Sequence, residues 1–311
     1  MTKKEALRKA KDFELNLKDV NNELKDDKDV VLEVVKKDGS NLKYASKRLR
    51  DNEDIVLQAE ECEDLLKYAS KRLRDDKNFM TKALSVFEYV LEYASDRLKD
   101  DKDFVLKAIK HKNPIKYASD RLKNDEEVIL QAIKADRWNI TYIDPKLTND
   151  KNFILKMVQV NGLVLENVDK KFQNNKEVVL KAVENNGFAL KYASAELTDD
   201  KKIALAAINT IPSALNYVGD ELYYNKEFIL KAIEINGLTL RYTSWAFRND
   251  TDVVLEAIKQ DVSLLHYADD DLLDNEKFIF QAMKINNYAL TYASDRVKEI
   301  FEKLSENQLC R

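Results

Sequence analysis

The sequence predicts an all-α fold, an α-solenoid formed by a superhelical array of helix-turn-helix repeats of about 25 residues. First, a Tyr-Ala-Ser motif or a variant of it recurs every 24 or 25 residues. Second, the 311 residues include only five Gly and three Pro, and 35% are charged, which favours helices over strands. A fixed period of this length is typical of repeats that bury their apolar faces against their neighbours. The motif is centred on Tyr44, Tyr68, Tyr93, Tyr117, Tyr142, Asn167, Tyr192, Tyr217, Tyr242, Tyr267 and Tyr292.

The segment around each motif tyrosine, here position 0, predicts a short helical piece. Position −2 and position +5 are apolar in every repeat, and position +1 is usually Ala, as in Leu42, Leu49 and Ala45. Since these offsets fall on one helical face, we expect them, with the tyrosine ring, to be buried between repeats. Position +2 is Ser, Asp or Gly, and Pro145 at +3 suits only a first helical turn, so we expect a bend at +2.

A longer helix is predicted after position +8, which is Asn or Asp in every complete repeat. These side chains can cap a helix N-terminus, although the Asx that often precedes them, such as Asp100 or Asn249, is an alternative cap. Apolar residues at +11, +12, +13, +15 and +16 cover an arc of about 200°, which suits a helix lying between two neighbours. The expected caps are Asn52, Asp76, Asp101, Asp125, Asp150, Asn175, Asp200, Asn225, Asp250 and Asn275.

The charged face of the longer helix predicts ion pairs four residues apart. The expected pairs are Asp103 with Lys107, Glu177 with Lys181, and Glu227 with Lys231.

Four of the five glycines share one column of the repeat, at the end of the longer helix. Pro212 and Asn287 occupy that column elsewhere. We expect the glycines to be left-handed residues that end the helix. They are Gly39, Gly162, Gly187 and Gly237.

The repeat implies a single repeat domain over residues 1–311. We expect an N-terminal cap at 1–18, about eleven repeats over 19–298, and a C-terminal cap at 299–311, because a solenoid needs polar ends.

The pattern Leu-x-Tyr-Ala-Ser-x-x-Leu-x-x-Asp, followed by Val-Leu-x-Ala-Ile and Asn-Gly, resembles the repeats of domain-of-unknown-function family 4116. The resemblance covers roughly residues 16–298. It implies a helical repeat array, no settled activity, and no catalytic residues to assign.

Composition predicts a soluble, monomeric, cytoplasmic protein, or one in a host cytosol if it is exported by a non-classical route. The net charge is −4, and the two cysteines, Cys62 and Cys310, are too far apart in sequence for a disulfide framework. No apolar run approaches the roughly 18 residues of a membrane span, and no signal-peptide core is present.

No group of residues in the sequence predicts catalysis. His111 and His266 lie in different columns, Cys62 stands between Glu61 and Glu63, and no glycine-rich phosphate loop occurs. We therefore expect a protein that is not an enzyme and uses no cofactor or metal.

Position +4 forms a basic ladder in the first half of the chain and turns acidic at Glu196, Glu221 and Asp271. One interpretation is a binding stripe for an acidic protein surface or for phosphates. The other is that each cation pairs with an acidic residue three to five positions away. The ladder consists of Arg48, Arg72, Arg97, Arg121, Lys146 and Lys171.

A second candidate surface is apolar. Tyr223, Tyr224, Trp245 and Leu273 stand where charged or polar residues are usual. Clustered exposed aromatics anchor interfaces, but these side chains could also bury one another. Trp138 shares a column with Leu and Phe, which predicts partly buried packing.

The sequence therefore predicts a non-catalytic protein-binding scaffold, such as an effector-like interaction protein, that presents the basic ladder and the aromatic residues to a partner protein. The alternative is phosphate or nucleic-acid binding through the ladder. Nucleic acid is the less favoured partner, because no aromatic side chain is interleaved with the Arg column for base stacking.

Overall fold

The protein is an all-α solenoid of tandem repeats, as the sequence predicts. The computed structural model describes residues 1–62 and 64–309, with side chains through residue 303, and these residues form helices and turns with no strand. The chain divides into two compact units, Met1–Asp144 and Pro145–Arg311, called here the N-terminal unit and the C-terminal unit.

Each repeat of the C-terminal unit consists of a long α-helix, a six-residue 3₁₀ helix and a four-residue α-helix. The predicted bend at +2 separates the 3₁₀ helix from the short helix. The long helices are Lys151–Val160, Lys176–Asn185, Lys201–Thr210, Lys226–Ile235, Thr251–Ile258 and Glu276–Ile285. The 3₁₀ helices are Gly162–Asn167, Gly187–Tyr192, Pro212–Tyr217, Gly237–Tyr242, Val262–Tyr267 and Asn287–Tyr292. The short helices are Pro145–Thr148, Lys170–Gln173, Ala195–Thr198, Asp220–Tyr223, Trp245–Arg248 and Asp270–Leu273, and Asp295–Leu309 ends the described chain.

The N-terminal unit has the same plan with shorter and less regular pieces. It opens with the helix Lys3–Lys11, which packs on the first long helix. The long helices are Lys28–Val35, Glu53–Leu57, Lys77–Ala83, Lys102–Lys110 and Glu126–Ala135. The 3₁₀ helices are Leu17–Asp19, Gly39–Tyr44, Ile115–Tyr117 and Arg137–Tyr142, and two repeats have α-turns there instead, Leu65–Tyr68 and Val90–Tyr93. The short helices are Asn22–Lys25, Lys47–Arg50, Lys71–Asp75, Asp96–Lys99 and Asp120–Lys123.

The predicted N-caps at position +8 are confirmed. Every one of the ten side chains accepts a backbone N–H of the first helical turn, as Asp101 does from Phe104 at 3.0 Å and Asn225 from Phe228 at 3.0 Å. A cap of this kind stabilises a helix by about 1 kcal/mol.

The core lies where consecutive long helices pack against each other within each unit. In Lys102–Lys110, positions +11, +12, +15 and +16 are buried and +13 is half-buried, which confirms the wide apolar arc. Leu42, Ala45 and Leu49 are also buried. However, Ala45 is extended, with φ −63° and ψ 155°, so the three residues do not share one helical face as predicted.

The motif tyrosines are not core residues. Their rings are half-buried along the 3₁₀ helices, and Tyr142 is 41% exposed. The expectation that they are buried between repeats was wrong, and the apolar residues at −2 and the long-helix positions form the core instead.

The glycine column has a different physical cause from the predicted one. None of the five glycines has positive φ, and each of the four in the column begins a 3₁₀ helix rather than ending the long helix in a left-handed conformation. A Cβ at Gly162 or Gly187 would overlap the carbonyl oxygen of Ala182 or Ala207 in the next repeat. Glycine is required there because two repeats approach each other closely.

The predicted C-terminal cap, 299–311, falls on the helix Asp295–Leu309 as far as the structure describes it. Residues 310 and 311, with Cys310, lie outside the described residues, as does Glu63.

Candidate interaction surfaces and the junctions between repeats

The arginines of the basic ladder tie each repeat to the one before it. Ser46, at +2, donates its hydroxyl to the Asp26 carboxylate and accepts the Leu49 N–H at 3.2 Å. Arg48 Nε lies 3.1 Å from Asp26 Oδ1, and its Nη2 donates to the Asp26 carbonyl at 2.6 Å. The Ser46 N–H also donates to the Lys25 carbonyl at 2.9 Å. We call this arrangement an Asp-Ser-Arg junction.

The same junction recurs wherever Asp at +7 is followed, one repeat later, by Ser at +2 and Arg at +4. Arg Nε to Asp distances are 2.9–3.0 Å at these further sites. They are Asp51–Ser70–Arg72, Asp75–Ser95–Arg97 and Asp100–Ser119–Arg121 in the N-terminal unit, and Asp274–Ser294–Arg296 in the C-terminal unit.

The two lysines of the ladder are engaged as well. Lys171 Nζ donates to Asn149 Oδ1 at 2.9 Å, so an amide takes the place of the carboxylate. Lys146 is exposed on the short helix Pro145–Thr148 and also has an interaction partner.

The interpretation that each ladder cation pairs with an acidic residue was therefore right for the arginines. It was wrong about which acidic residues are the partners. The acidic residue lies 21 or 22 positions earlier, in the preceding repeat, and not three to five positions away. The Asx at +7, considered above as an alternative cap, is the junction acceptor, while the Asx at +8 caps its own helix.

The junctions favour the ionised form of their carboxylates and so lower the pKa of these groups. The Ser hydroxyl first, and the Arg second, lower the pKa of Asp26, Asp75, Asp100 and Asp274 below the ordinary 3.8. At Asp51 the Ser70 hydroxyl is the largest cause of the lowered pKa. The Arg side chains remain 52–63% exposed, but each presents a charge that a carboxylate already opposes.

A second row of ion pairs joins successive long helices. The Lys at +9 reaches the N-cap Asp of the next repeat, as in Lys77–Asp101 at 2.7 Å and Lys102–Asp125 at 2.9 Å. Burial opposes ionisation of Asp101, but Lys77 and the capped N–H groups together lower its pKa.

These contacts between repeats also determine which of the predicted ion pairs, four residues apart on one helix, are formed. Glu227–Lys231 forms at 3.2 Å, whereas Asp103 and Glu177 contact lysines of the preceding repeat, Lys77 at 3.9 Å and Lys151 at 2.6 Å.

The central junctions of the C-terminal unit lack the Asp-Ser-Arg set. Ser194 donates to Asn174 at 2.7 Å, and Gly219 replaces the serine next to Asp199. At the following junction Tyr224 stands at +7, and the Ser244 hydroxyl is buried without a hydrogen-bond partner. The carboxylate acceptor is replaced by Asn174 and Asn249 at the junctions of Glu196 and Asp271, whereas Asp199 remains at the junction of Glu221.

The four predicted aromatic and apolar residues of the C-terminal unit divide into two pairs. Tyr224 and Trp245 are 66% and 58% exposed. Tyr223 and Leu273 are half-buried, and the Tyr223 hydroxyl donates to the Tyr242 carbonyl at 3.3 Å. The rings of Tyr223 and Tyr224 meet edge to face at 5.0 Å. Tyr224 and Trp245, called here the Tyr224–Trp245 patch, are the two that face solvent.

A larger exposed surface, which the sequence reasoning missed, lies on the 3₁₀ helices of the C-terminal unit. Position −4 carries Phe188, Leu238 and Tyr288, all exposed. The half-buried motif tyrosines lie beside them, and contacts join neighbouring 3₁₀ helices, such as Phe188 with Tyr217, whose ring centroids are 6.2 Å apart. We call this surface the 3₁₀ face.

A sequence signal for the 3₁₀ face was available. Ser213 and Ser263 occupy the same column, and a packed core position would not accept serine readily. Trp138, at −4 in the N-terminal unit, was expected to be partly buried; it is 49% exposed, with the Arg137 guanidinium 5.4 Å from its ring.

The titratable groups considered for chemistry lie apart from one another. His111 and His266 are exposed, and the His266 ring packs on Tyr292 with centroids 4.9 Å apart. Burial, followed by Asp38, raises the pKa of the Cys62 thiol. Within residues 1–62 and 64–309, no group of three or more His, Cys, Asp or Glu side chains is arranged to hold a metal ion.

None of the helices in the described part of the chain has both the length and the apolar character needed to cross a bilayer.

The stacked helices and the junctions that recur between them define a tandem helical-repeat protein. The sequence profile of a domain of unknown function, DUF4116, matches ten tandem segments between residues 6 and 298, most of which overlap, and the chain belongs to this family. The matched segments are 6–50, 27–74, 52–99, 76–123, 101–148, 150–198, 175–223, 200–248, 225–273 and 250–298. Searches of curated proteins and of solved structures found no match.

Proposed function

We propose that the protein is a non-catalytic scaffold that binds a partner protein through the 3₁₀ face of its C-terminal unit. The observation that carries the proposal is the row of exposed Phe188, Leu238 and Tyr288, which lie on alternate 3₁₀ helices of a stack whose intervening helices carry serine at the same position. Large exposed apolar side chains in one row are typical of interface anchors.

The 3₁₀ face is suited to binding because its backbone is already ordered. The 3₁₀ helices that carry Phe188, Leu238 and Tyr288 are held by Asx side chains that accept the N–H of the same residue, at 3.0, 3.1 and 2.9 Å. A surface held in this way loses little conformational entropy when a partner binds. A partner segment with apolar side chains would match it.

The Tyr224–Trp245 patch is a second contact in the same proposal. Both side chains are more than half exposed, and they flank the junction where the Ser244 hydroxyl has no partner. Trp and Tyr are the side chains that most often contribute strongly to binding energy in protein interfaces.

The ladder arginines take a structural role in this proposal. Phosphate or nucleic-acid binding would require cations free to replace counterions, and Arg48, Arg72, Arg97 and Arg121 each have a carboxylate at 2.9–3.1 Å. A gel shift with RNA and DNA at low salt tests this alternative, and steeply salt-dependent binding would support it against the scaffold. The proposal also takes the protein to be monomeric and to work in the cytoplasm, or in a host cytosol after export.

The test exchanges residues for ones that the chain already uses in the same column. Phe188→Ser with Leu238→Ser copies Ser213 and Ser263, so it should preserve the fold. A matched control is Phe280→Ser, which removes an exposed aromatic, 52% accessible, from a long helix of the same unit. A partner is first captured from the native cell or its host and identified, and its Kd is then measured for each variant.

The double serine variant should weaken the partner at least about tenfold, as loss of interface anchors does, while the Phe280 control should change the Kd by less than about twofold. Tyr224→Ala with Trp245→Ala tests the patch in the same assay. Equal affinity for all variants would remove both surfaces from the proposal.

A further inference from the structure

A cavity of about 760 Å³ opens in the N-terminal unit, whereas the surfaces proposed above belong to the C-terminal unit. It lies where two successive long helices, Glu53–Leu57 and Lys77–Ala83, end after five and seven residues, while those of the C-terminal unit run for eight or ten. The chain then turns through left-handed residues, Asp64 and Tyr89, instead of entering a 3₁₀ helix. The helix turns missing from these repeats leave the space open.

Aromatic rings form part of the cavity wall. Tyr89, Tyr93 and Tyr117 line it, and Tyr89 is 52% exposed. The Lys116 ammonium already lies 4.4 Å from the centre of the Tyr117 ring, so this wall accepts a cation of the chain itself.

Carboxylates form the rest of the polar wall. Among the described residues, Glu61, Asp64, Glu88 and Glu92 line the cavity together with one cation, Lys116. Within the described part of the chain, the Glu88 carboxylate has no ion-pair partner, although its N–H donates to Glu61 at 2.6 Å. Lys67, outside the lining, pairs with Asp64 at 3.4 Å, so the described groups keep an excess of two negative charges next to aromatic faces.

The Tyr93 phenol and the Asp64 carboxylate in the wall are held in protonation states that preserve this negative charge. The Tyr93 hydroxyl donates to the Asp64 carboxylate. Burial first, and Asp64 second, raise the pKa of Tyr93 above its ordinary value, so the phenol stays protonated and Asp64 stays the acceptor.

We propose that this cavity binds the Lys or Arg side chains of a basic peptide segment. Carboxylates and tyrosine faces attract ammonium and guanidinium groups, and they disfavour phosphates and purely apolar ligands. The volume lies within the range of pockets that enclose a ligand larger than a single amine, which favours a peptide over a small cation.

The test uses N-acetylated, C-amidated tetra-arginine and tetra-lysine as probes, with isothermal titration calorimetry at about 0.15 M salt to screen non-specific attraction. Glu61→Gln with Glu88→Gln removes two charges but keeps the oxygen that accepts the Glu88 N–H. Glu196→Gln with Glu221→Gln removes the same charge from exposed positions of the C-terminal unit and is the matched control. Circular dichroism and thermal melting check the fold of each variant.

Tyr89→Asn removes one ring without straining the backbone, because Asn tolerates the left-handed conformation that Tyr89 adopts at φ 51°. It serves as a second variant in case the carboxylate substitutions disturb the cavity.

We expect at least one of the two basic peptides to bind, the double Gln variant to bind it about tenfold more weakly, and Tyr89→Asn about threefold more weakly. The control should bind as the unmodified protein does. Failure of both peptides to bind, equal weakening in the control, or argininamide binding as tightly as tetra-arginine would overturn the proposal. Since the cavity and the 3₁₀ face belong to different units, loss of partner capture in the serine variant would not be mistaken for failure of this site.

Discussion

The N-terminal and C-terminal units join their repeats with the same backbone bond but with different side chains. The +2 N–H donates to a carbonyl of the preceding short helix in both units, as in Ser70 to Arg50 at 3.0 Å and Gly219 to Thr198 at 3.1 Å. Four consecutive Asp-Ser-Arg junctions reinforce this bond in the N-terminal unit, and the described part of the C-terminal unit has one. Stacking therefore depends on backbone geometry, and the side chains at the junction can vary.

A second difference between the units concerns the buried residues at or next to the 3₁₀ helices. In the N-terminal unit, buried Asn41, Asn113 and Asn139 accept backbone N–H groups of the preceding repeat at 2.8–2.9 Å. The C-terminal unit has mainly apolar residues there, such as Ala189 and Ala214, and exposes its aromatics above them. The C-terminal unit uses other amides to link its repeats, because Asn185 and Gln260 accept the N–H groups of Gly162 and Gly237 at 2.7 and 2.8 Å.

The largest effect is expected from a side chain placed where repeats approach each other most closely. Gly187→Ala would push its Cβ against the Ala207 carbonyl and Thr210, and overpacking of this kind costs about 3 kcal/mol. The free energy of unfolding from urea titration measures it.

Gly219→Ser is the contrasting control. The three atoms nearest its Cβ would all belong to the Asp199 carboxylate, which can rotate, and its hydroxyl could donate to that acid as Ser46 does to Asp26. A loss as large as that of Gly187→Ala would mean that the glycine column is not defined by close contact between backbones.

The next largest effect is expected for a buried amide of the N-terminal unit. Asn139→Ala would leave the Ile115 N–H without its acceptor, now at 2.9 Å, and should lower the free energy of unfolding by about 2 kcal/mol. Asn139→Asp keeps an acceptor oxygen but loses the amide donors to Ala132 and Asp136. A change near zero for Asn139→Ala would contradict a role for these amides in joining repeats.

A motif tyrosine should matter less. Because the Tyr192 ring is half-buried, Tyr192→Ala should cost about 1 kcal/mol in the same assay, well below the loss expected of a core aromatic. A loss of about 3 kcal/mol or more would place the tyrosine column in the core after all.

The smallest effect on stability is expected when an Asp-Ser-Arg junction, like those of the N-terminal unit, is built into the C-terminal unit. This variant also sharpens the comparison between the units most. Asn174→Asp with Glu196→Arg completes an Asp-Ser-Arg junction around Ser194, which already donates to residue 174 at 2.7 Å. We expect a small rise in Tm at pH 7, because an exposed ion pair adds little stability. Asn174→Asp alone, which places two uncompensated acids together, should lower Tm.

The added stability should also depend on pH in a defined direction. Junction carboxylates have a folded-state pKa below 3.8, so their contribution is fully present above about pH 4 and is lost as the pH falls through that lowered pKa. A Tm gain that stays constant however far the pH falls below 3.8 would not come from the junction.

Helix capping was predictable from the sequence, and the contacts between repeats, which also redirect Asp103 and Glu177 away from their predicted partners, were not. Each N-cap at +8 was correct because a cap involves only the next two or three residues. The partner of Arg97, in contrast, is Asp75 one repeat back, and its identity depends on the stacking register, which periodicity alone does not give. For the same reason, the glycines were predicted to adopt a left-handed conformation, whereas glycine is required there because the next repeat lies so close.

The candidate surfaces show the same limit. Tyr224 and Trp245 were noticed because they break the pattern of their columns. Phe188 and Leu238 follow the pattern and were taken for packing, although they are exposed. The cavity was missed because it depends on where the helices Glu53–Leu57 and Lys77–Ala83 end.

The most direct test of the central claim, that the arginine column joins repeats, is a ¹³C NMR titration of the Asp75 carboxyl. The account predicts a pKa below 3.8 in the unmodified protein, since the Ser95 hydroxyl and then Arg97 stabilise the carboxylate. It also predicts that Ser95→Ala and Arg97→Gln each raise that pKa towards 3.8. An Asp75 that titrates at or above 3.8 in the unmodified protein, or that ignores both substitutions, would contradict it.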